Sequence, residues 1–372
     1  MILAGGGLGG LYQHSINPAD LTGSTHFLAA KAGAGLINLE FNQFIPGFLS
    51  HPYKTVFREG TLKYCTGLID SDGRDVLCDY LKTPEAYKHC LDIRETHGPF
   101  TSSYESRYFD FALMSCSDGG TIRYSPALSN DPRQYVQDYI RWLQTEHNID
   151  ITKDIIRIAP FYHAANGGIA VDHRCETRVA GLFACGEAAG GIHGANRLGG
   201  MATGSCLVFG ELAGQSACQY AKNLALPVLS ASQIRTGMES AYTCCDSMFD
   251  DPVSESLLPP DKMTARIRQL MWEYGNVTRT KDKLSDAIRE IDMMAMSLNQ
   301  YSFPKTADVM KAVQFADLSR AMLIAMLNRQ ESRGSHYRED YPLPDTALPA
   351  RRIMVEMTGR QFVLKFLRQQ CQ

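Results

Sequence analysis

The chain has 372 residues, of which 44% are hydrophobic and 21% charged, so it is long enough for two or three globular domains with a substantial core. Its formal net charge of −3 gives no reason to expect a nucleic-acid-binding surface or a polybasic membrane anchor. No apolar run approaches the roughly 18 residues that span a bilayer, and the first residues lack the basic region of a signal peptide. The 11 cysteines include no C-x-x-C pair, which predicts reduced structural thiols in a cytoplasmic protein and neither a zinc site nor a cysteine-ligated cluster.

The chain begins with MILAGGGLGG, in which residues 5–10 match the dinucleotide-binding pattern G-x-G-x-x-G. A Rossmann fingerprint needs a full strand before its glycines, a helix after them and an acidic residue about 20 positions further on. Here only four residues precede the glycines, and Asn17-Pro18 interrupts the region where the helix should run. The pattern therefore predicts a short strand at residues 2–7 that enters a tight glycine turn, and not a complete phosphate-binding fingerprint.

The segments after this turn predict an interrupted α/β organisation. HFLAAKAGAGL has the small and apolar residues of a tightly packed helix, and LEFNQF is typical of an extended, partly buried segment. Residues 50–157 are more polar, with a hairpin pattern in LIDSDGRDVLCDYL and an amphipathic helix in DPRQYVQDYIRWLQTE. Residues 158–222 are again glycine-rich and apolar, with a buried strand and turn in GLFACGE and a helix in LVFGELAGQSACQYAKN.

Residues 223–372 have helical periodicity almost throughout. The helical stretches are MTARIRQLMWEYG, KDKLSDAIREIDMMAMSL and VMKAVQFADLSRAMLIAMLNRQES, and IMVEMTGRQFVLKFL predicts a hairpin after them. We therefore expect an α/β fold in which the glycine-rich blocks 1–49 and 158–222 flank an inserted domain at 50–157, followed by a helical domain at 223–372.

Four blocks of sequence carry a resemblance to a known family. They are, in chain order, ILAGGGLGGLY with AAKAGAGLINLEFNQFIP, then HAANGG, GLFACGEAAGGIHGANRLGG and NRQESRGSHYREDYP. Together they resemble the flavoprotein subunits of the succinate dehydrogenase and fumarate reductase family, which includes L-aspartate oxidase. The resemblance implies a partial FAD-binding, Rossmann-like domain interrupted by an α+β capping domain and followed by a C-terminal helical domain.

The family's own dinucleotide fingerprint lies far upstream of the first of these blocks. The resemblance therefore leads us to expect that this chain is a fragment, a truncated gene model or one half of a split flavoprotein. In that case the opening glycine turn lies near the flavin without cradling its pyrophosphate.

The resemblance implies FAD as the cofactor and assigns residues to it. Glu187 in ACGE would accept hydrogen bonds from ribityl hydroxyls, and the alternative is a carboxylate that stabilises a helix N-terminus. The glycines would let the backbone approach the flavin closely, although each alone is also a good turn residue. The expected cofactor residues are Gly6, Gly7, Glu40, Glu187, Gly190, His193, Asn196, Arg197, Gly199 and Gly200.

The resemblance also places Arg197 and His163 against the carboxylate of an organic-acid substrate. A planar guanidinium suits a carboxylate because its parallel donors match the two oxygens. The alternatives are a surface arginine in a turn and a core histidine with a backbone partner. The family's substrate histidine is replaced by Ile45, and Arg58 brings a cation nearby as a third substrate residue. These departures predict that the substrate is an unsaturated or oxidised organic acid other than fumarate or succinate. An acid with a single carboxylate is one alternative.

The resemblance implies a proton relay, but only some of the family's relay residues are present. Glu59 aligns with the family's relay glutamate, but Leu62 stands at the relay arginine. The arginine of the family's G-P-R-D motif is also absent, because Phe100 follows Gly98-Pro99. The nearest candidates for a proton donor are Arg107 and, behind it, Arg94, and the alternative for Arg107 is a solvated charge on a helix.

The expected function is that of an FAD-dependent oxidoreductase that transfers hydride between flavin and the CH–CH group of an organic acid. The alternatives are an enzyme similar to L-aspartate oxidase and a chain that is inactive alone. Expected partners are the small acid, an iron–sulfur or haem electron-transfer protein and a separate N-terminal half, at a cytoplasmic location that a partner could bring to the membrane. We expect the charges of ESRGSHYREDYP (residues 331–342) to form a structural ion-pair network.

Overall fold

The computed structural model describes residues 1–224, 230–233, 235, 258–298, 300–301, 307–346, 351–358 and 361–367. Its first part contains β1 (Ile2–Leu3), α1 (Ser24–Lys31), β2 (Leu36–Ile37) and β3 (Asn42–Phe48). The predicted strand is shorter than expected, two residues instead of 2–7, because the chain enters the glycine turn directly after Leu3. The predicted small-residue helix ends at Lys31, before Gly33 with its φ of 99°, and the extended segment is present as β3. The glycine turn follows β1, where Gly6 has a φ of 75°, a left-handed conformation that favours glycine.

The inserted region contains β4 (Cys65–Ile69), α2 (Pro84–Arg94), α3 (Arg107–Ser115), β5 (Gly120–Tyr124) and α4 (Gln134–His147). The predicted amphipathic helix is α4. The predicted hairpin is wrong in its second arm, where one bridge from Ile69 to Asp75 is followed by a 3₁₀ helix. The reason is local, because the Asp75 side chain accepts a hydrogen bond from the Leu77 amide and caps that turn.

A four-stranded antiparallel sheet, in the order β3-β6-β5-β4, joins the first part to the inserted region through β6 (Arg157–Ala165). Phe44 is opposite Tyr162 and faces the larger core, while Ile45 is opposite Phe161. Because side chains alternate along a strand, Ile45, Phe161 and His163 lie on the other face of the sheet. This face meets the inserted region at Gly98, near Ile45, and at Tyr53, which contacts Phe161. The core of the inserted region packs on the opposite face, through Phe48 and Ile158.

The next elements are β7 (Gly168–Ala170), β8 (Phe183–Ala184), β9 (Ala189–Gly190) and the long helix α5 (Met201–Lys222). The strand β8 pairs in parallel with β1, which brings the GLFACGE turn beside the opening glycine turn. At Gly167 an added Cβ would lie 2.1 Å from the Asn38 carbonyl oxygen, so this position accepts no side chain.

Three helices form the helical region: α6 (Pro260–Tyr274), α7 (Lys281–Leu298) and α8 (Ala307–Asn328). In α7 the buried residues recur every three or four positions, as in an amphipathic helix: Leu284, Ala287, Ile291, Met294 and Leu298. The helix α8 packs against α1, α6 and α7 and is buried along most of its length. The three predicted helices are therefore confirmed.

The predicted hairpin is also confirmed, as β10 (Arg352–Thr358) and β11 (Gln361–Leu367). It completes a five-stranded sheet of order β11-β10-β2-β7-β9, in which Met354 is opposite Ile37. Among the described helices, none combines the length and apolar character needed to cross a membrane. The cysteines within the described ranges are free thiols.

Candidate functional site

Arg197 and His163 meet at the face of the antiparallel sheet that carries Ile45. The Nη2 of Arg197 donates a hydrogen bond of 2.9 Å to Nε2 of His163. Because a guanidinium can only donate, this bond requires a neutral imidazole with its proton on Nδ1. Burial and the neighbouring Arg197 charge agree with that state, because they lower the pKa of His163 to about 4.

The loop that carries Arg197 is held from two sides. Gln43 of β3 donates from Nε2 to the Asn196 side-chain oxygen over 3.0 Å and to the Arg197 carbonyl over 2.9 Å. On the other side, Ser335 donates from its amide and its hydroxyl to the Ala195 carbonyl. The guanidinium is therefore positioned by a strand and by the ESRGSH segment.

Two buried donors at this site have no hydrogen-bond partner within the described part of the chain. They are His163 Nδ1 and Arg197 Nε. A buried donor without a partner costs about 1–3 kcal/mol, so the arrangement favours a ligand that brings acceptor oxygens. A positive guanidinium beside a neutral N–H donor suits a carboxylate.

Glu59 approaches the same face from the inserted region. A Cβ added to Gly98 would lie 3.8 Å from Ile45 Cδ1 and 3.9 Å from Glu59 Oε1, so the two side chains flank one glycine. Ile45 is 7% exposed and forms an apolar wall there. Glu59 is only partly buried, but its Oε1 is shielded and has no partner among the described residues.

The surroundings of Glu59 favour its protonated form. Burial raises its pKa to about 7, against the opposing charges of Arg94 and Arg58, and Asp110 adds to the rise. Arg94 is fully buried and donates to Asp110 from Nε over 2.9 Å and from Nη2 over 3.1 Å. The third donor of Arg94, Nη1, reaches the His97 carbonyl over 2.7 Å. A carboxyl group with this pKa holds and releases a proton near neutral pH.

The other predicted residues of the capping region have different surroundings. Arg107 donates from Nη1 to the Ser102 carbonyl over 2.9 Å, and its buried Nε has no partner in the described ranges. Arg58 is exposed and lines a cavity beside α4, whereas Glu59 faces Gly98.

Several expected cofactor residues lie along the two glycine turns. Glu187 Oε1 accepts a hydrogen bond of 2.8 Å from the Ala165 amide, and a Cβ on Gly7 would lie 2.3 Å from the same oxygen. A Cβ on Gly190 would meet the Gly168 amide at 2.4 Å, so this glycine allows β7 and β9 to pair. Gly199 and Gly200, by contrast, face open space.

Glu40 and His193 have partners of their own. Glu40 is completely buried and forms an ion pair of 2.6 Å with Arg329, which also pairs with Glu331. The predicted ion-pair network of residues 331–342 is present and includes this pair. His193 lies 3.4 Å from the Ser205 hydroxyl at the start of α5.

The helix α5 leaves apolar residues in contact with solvent. Leu207 is 70% exposed and Val208 62%, and Leu198 just before the helix is 73% exposed. Only Ser205, Ala213 and Ser216 of this helix are buried. The face therefore lacks the cover that apolar helix faces normally have.

Comparison with known proteins identifies the family. Residues 1–203, more than half of the chain, match the model of the FAD binding domain, and residues 264–361 match that of the fumarate reductase flavoprotein C-terminal region. The chain belongs to this family of FAD-binding flavoproteins. FAD is the cofactor of the family, and its members include L-aspartate oxidases and fumarate reductases.

Individual relatives with similar sequences or structures support this family assignment. An uncharacterized FAD-dependent oxidoreductase of Methanocaldococcus jannaschii and the L-aspartate oxidase of Vibrio cholerae are each 28% identical, over 92% of this chain and 60% of the relative. The solved structure of Mycobacterium smegmatis Sdh1 in complex with UQ1 has a TM-score of 0.77 at 25% identity, covering 99% of this chain and 62% of that one. The flavoprotein chain thus spans about 60% of the length of the curated relatives it matches.

The buried acceptors of this flavoprotein fit FAD. Five buried side-chain amide oxygens have no partner among the described residues: Asn17 Oδ1, Asn38 Oδ1, Asn42 Oδ1, Gln43 Oε1 and Asn166 Oδ1. Gln43 and Asn166 also hold the 195–197 loop through their amide nitrogens. A flavin offers the missing donors, since it carries a ring N–H and the hydroxyls of its ribityl chain.

Proposed function

We propose that this chain forms the substrate-binding face and part of the cofactor-binding face of an FAD-dependent oxidoreductase that acts on the CH–CH group of an organic acid. The observation that carries the proposal is the pair of unpartnered donors, His163 Nδ1 and Arg197 Nε. Glu59, which flanks Gly98 together with Ile45, is the candidate for the accompanying proton transfer. When bound, FAD would supply or accept the hydride.

Arg197 and His163 hold the substrate carboxylate in this proposal. Arg197 contributes the positive charge that balances the carboxylate and any negative charge that develops next to it. His163 contributes a neutral N–H donor, so it orients the acid without adding a second charge. The bond of 2.9 Å between them keeps both donors on one side of the site.

Glu59 exchanges the proton that accompanies the hydride. With a pKa of about 7, its carboxyl group can carry a proton toward the substrate carbon or away from it. Arg107 is our candidate for the group between Glu59 and the substrate, because its buried Nε is not used by another residue of the described ranges. The buried Arg94 acts through its charge, because its donors already serve Asp110 and the His97 carbonyl.

The residues proposed to hold FAD are the glycine turns at Gly6, Gly7, Gly190, Gly199 and Gly200 with the loop between them. Within that loop His193, Asn196 and the Arg197 backbone face the cofactor, and Glu187 accepts from its hydroxyls. Glu40 contributes through the buried ion pair with Arg329 that supports β3.

The substrate of this proposal is an acid other than fumarate or succinate. Ile45 contributes no hydrogen-bond donor, so this buried apolar side chain does not satisfy a second carboxylate. An apolar substituent fits that side chain better. Arg58, which the sequence places with the substrate residues, contacts the acid only if its side chain turns away from the α4 cavity.

A second candidate is an activity similar to that of L-aspartate oxidase. It is supported by the 28% identity to the Vibrio cholerae enzyme of that name. An amino acid substrate would place an ammonium group near Glu59, whose carboxylate form would pair with it. Assays with L-aspartate and with unsaturated acids distinguish the two candidates.

The partners are proposals as well. The uncovered face of α5 supports the packing of a further part of the FAD domain, on the same polypeptide or as a separate N-terminal half. Without it, this chain would be inactive alone. An iron–sulfur or haem protein is the proposed electron partner, and a cytoplasmic location, peripheral to the membrane through that partner, completes the proposal.

The test starts with FAD added to the purified chain, whose visible spectrum reports retention of the flavin. Flavin-loaded protein is then reduced and mixed with crotonate, fumarate or buffer, and L-aspartate is added to the oxidised form. We expect faster flavin oxidation with crotonate than with fumarate, and a loss of at least tenfold in Arg197→Gln.

The matched control is Arg123→Gln, which removes an exposed arginine from β5. Fumarate reduction as fast as crotonate reduction would contradict the proposed substrate. A chain that remains colourless with FAD would favour the inactive-alone alternative.

A further inference from the structure

A cavity of about 580 Å³ lies between the segment before Glu59 and the helix α4. Its walls include Arg58, Tyr135, Asp138, Tyr139 and Trp142. Neither His163 nor Arg197 belongs to its walls, so it is separate from the proposed substrate site. Its volume lies within the roughly 300–1,000 Å³ of small-molecule sites.

The aromatic walls come from one face of α4. Tyr135, Tyr139 and Trp142 are four and three positions apart, which aligns them along the helix. The rings of Tyr139 and Trp142 stack at a centroid distance of 6.2 Å and an angle of 23°. Arg133 lies over the Tyr135 ring at 5.5 Å from its centroid, and His147 packs against Trp142 at a centroid distance of 4.5 Å. Tyr135 is still 53% exposed and Trp142 38%, so part of each ring is accessible to a planar ligand.

The charge of the cavity comes from Arg58. Its guanidinium makes no hydrogen bond or salt bridge with another described residue. The Asp138 carboxylate, by contrast, already accepts from Gln134 over 2.7 Å and from Arg141 over 3.0 Å. The hydroxyl oxygen of Tyr139 is buried next to the Arg58 backbone amide, and its O–H is not donated to another described residue, so it can donate to an acceptor in the cavity. The cavity thus offers one unpaired cation and one unpaired O–H.

We propose that this cavity binds a planar aromatic monocarboxylate, with its carboxylate on Arg58 and its ring between Tyr135 and Trp142. A single positive charge matches one carboxylate, and a second carboxylate would find no further cation among the described residues that line the cavity. The binding does not depend on the proposed oxidoreductase function.

A ligand in the cavity would change the pKa of Glu59 through Arg58, the preceding residue in the chain. The charges that act on Glu59 come from Arg94, Asp110 and Arg58, and the Arg58 charge lowers its pKa. A carboxylate that neutralises Arg58 removes this effect, so the pKa of Glu59 rises. Binding at a site outside the substrate pocket would in this way increase the protonated fraction of Glu59.

The test uses benzoate as the probe, with benzamide and acetate as partial ligands. Benzamide keeps the ring without the charge, and acetate keeps the charge without the ring. Calorimetry with the wild-type chain should give saturable benzoate binding and at least tenfold weaker binding of both partial ligands. Equal binding of benzoate and acetate would overturn the aromatic part of the proposal.

Benzoate could also bind through its carboxylate at the proposed substrate site, so variants are needed to distinguish the two sites. Arg58→Gln should weaken one class of benzoate sites at least tenfold, whereas Arg197→Gln and the control Arg123→Gln should leave that class intact. The proposal would be overturned if Arg197→Gln lost all benzoate binding. It would also be overturned if Arg58→Gln bound benzoate as tightly as the wild type at both classes of sites. If Arg197→Gln lost crotonate binding but kept the benzoate sites of the cavity, the result would support the proposed substrate site and leave the proposal for the cavity intact.

A spectroscopic measurement completes the test. Infrared or ¹³C titration of labelled glutamate, with Glu59→Gln for assignment, should show the Glu59 midpoint at higher pH when benzoate is saturating. An unchanged midpoint in the presence of bound benzoate would overturn the coupling between the cavity and Glu59.

Discussion

Arg94 at the end of α2 and Asp110 within α3 form a fully buried ion pair through two hydrogen bonds of 2.9 and 3.1 Å. This pair joins two helices of the capping region next to Glu59. Its charges act on Glu59 in opposite directions, Arg94 lowering the pKa and Asp110 raising it. The ion pair therefore links the packing of the region to the proton affinity of its candidate relay group.

Asp110→Asn should destabilise the chain by about 3–5 kcal/mol, because it leaves the buried Arg94 charge without its partner. Urea unfolding at pH 7 measures this loss. The double variant Arg94→Met with Asp110→Leu should recover much of it, since neither charge then remains in the core. A single variant as stable as the wild type would show that water reaches this pair.

Glu59→Gln should alter how stability depends on pH. The folded chain keeps a proton on Glu59 between pH 4.5 and about 7 that the unfolded chain has released, so this group lowers stability as pH rises through that window. The loss above pH 7 amounts to roughly 1–3 kcal/mol, since the side chain is partly exposed. Unfolding midpoints at pH 5 and pH 8 should therefore favour the variant only at pH 8, and an equal difference at both values would contradict the raised pKa.

His163 should titrate near pH 4 in an NMR experiment on the folded chain. In the variant Glu59→Gln, which removes the titration of Glu59, carboxylate binding should vary little between pH 5.5 and 8, because the imidazole stays neutral across this range. The low pKa of His163 has two causes, burial and the Arg197 charge. Because Arg197→Gln removes the charge, the His163 midpoint should rise toward its ordinary value. A wild-type midpoint near 6.5 would contradict the neutral donor assigned to His163.

Gly167→Ala should lower stability by several kcal/mol or prevent folding, because the new methyl group would lie 2.1 Å from the Asn38 carbonyl oxygen. Gly214→Ala is the matched control, since Gly214 lies within α5 and faces open space. That replacement should stabilise the helix by about 0.5–1 kcal/mol. Thermal unfolding of both variants tests the contrast, and equal effects would contradict the close approach at Gly167.

Periodicity predicted α4 and α7 well because each has a buried stripe of its own, as the spacing from Leu284 to Leu298 illustrates. The family resemblance directed attention to His163 and Arg197, which the structure brings within 2.9 Å. The hairpin after Ile69 was wrong because the Asp72-Gly73 turn signal does not determine the conformation of the residues after it, and the Asp75 side chain caps a 3₁₀ turn there.

The sequence did not reveal the roles of Gln43, Ser335 and Asp110. Gln43 and Ser335 act on a loop more than 100 positions away, and such contacts have no local signature. Asp110 did offer a signal, because an acidic residue in the apolar run RYFDFALM must find a partner when its helix is buried. The identity of that partner depends on how α2 and α3 meet.

The pairing of β10 with β2 has a consequence for synthesis. Met354 is opposite Ile37, so one edge of β2 stays unpaired until a segment more than 300 positions later leaves the ribosome. At ~5–20 residues per second this interval lasts roughly 15 to 60 s. During that time the nascent chain exposes a hydrogen-bonding edge beside apolar surface, where a chaperone that holds extended segments would have its longest opportunity to act.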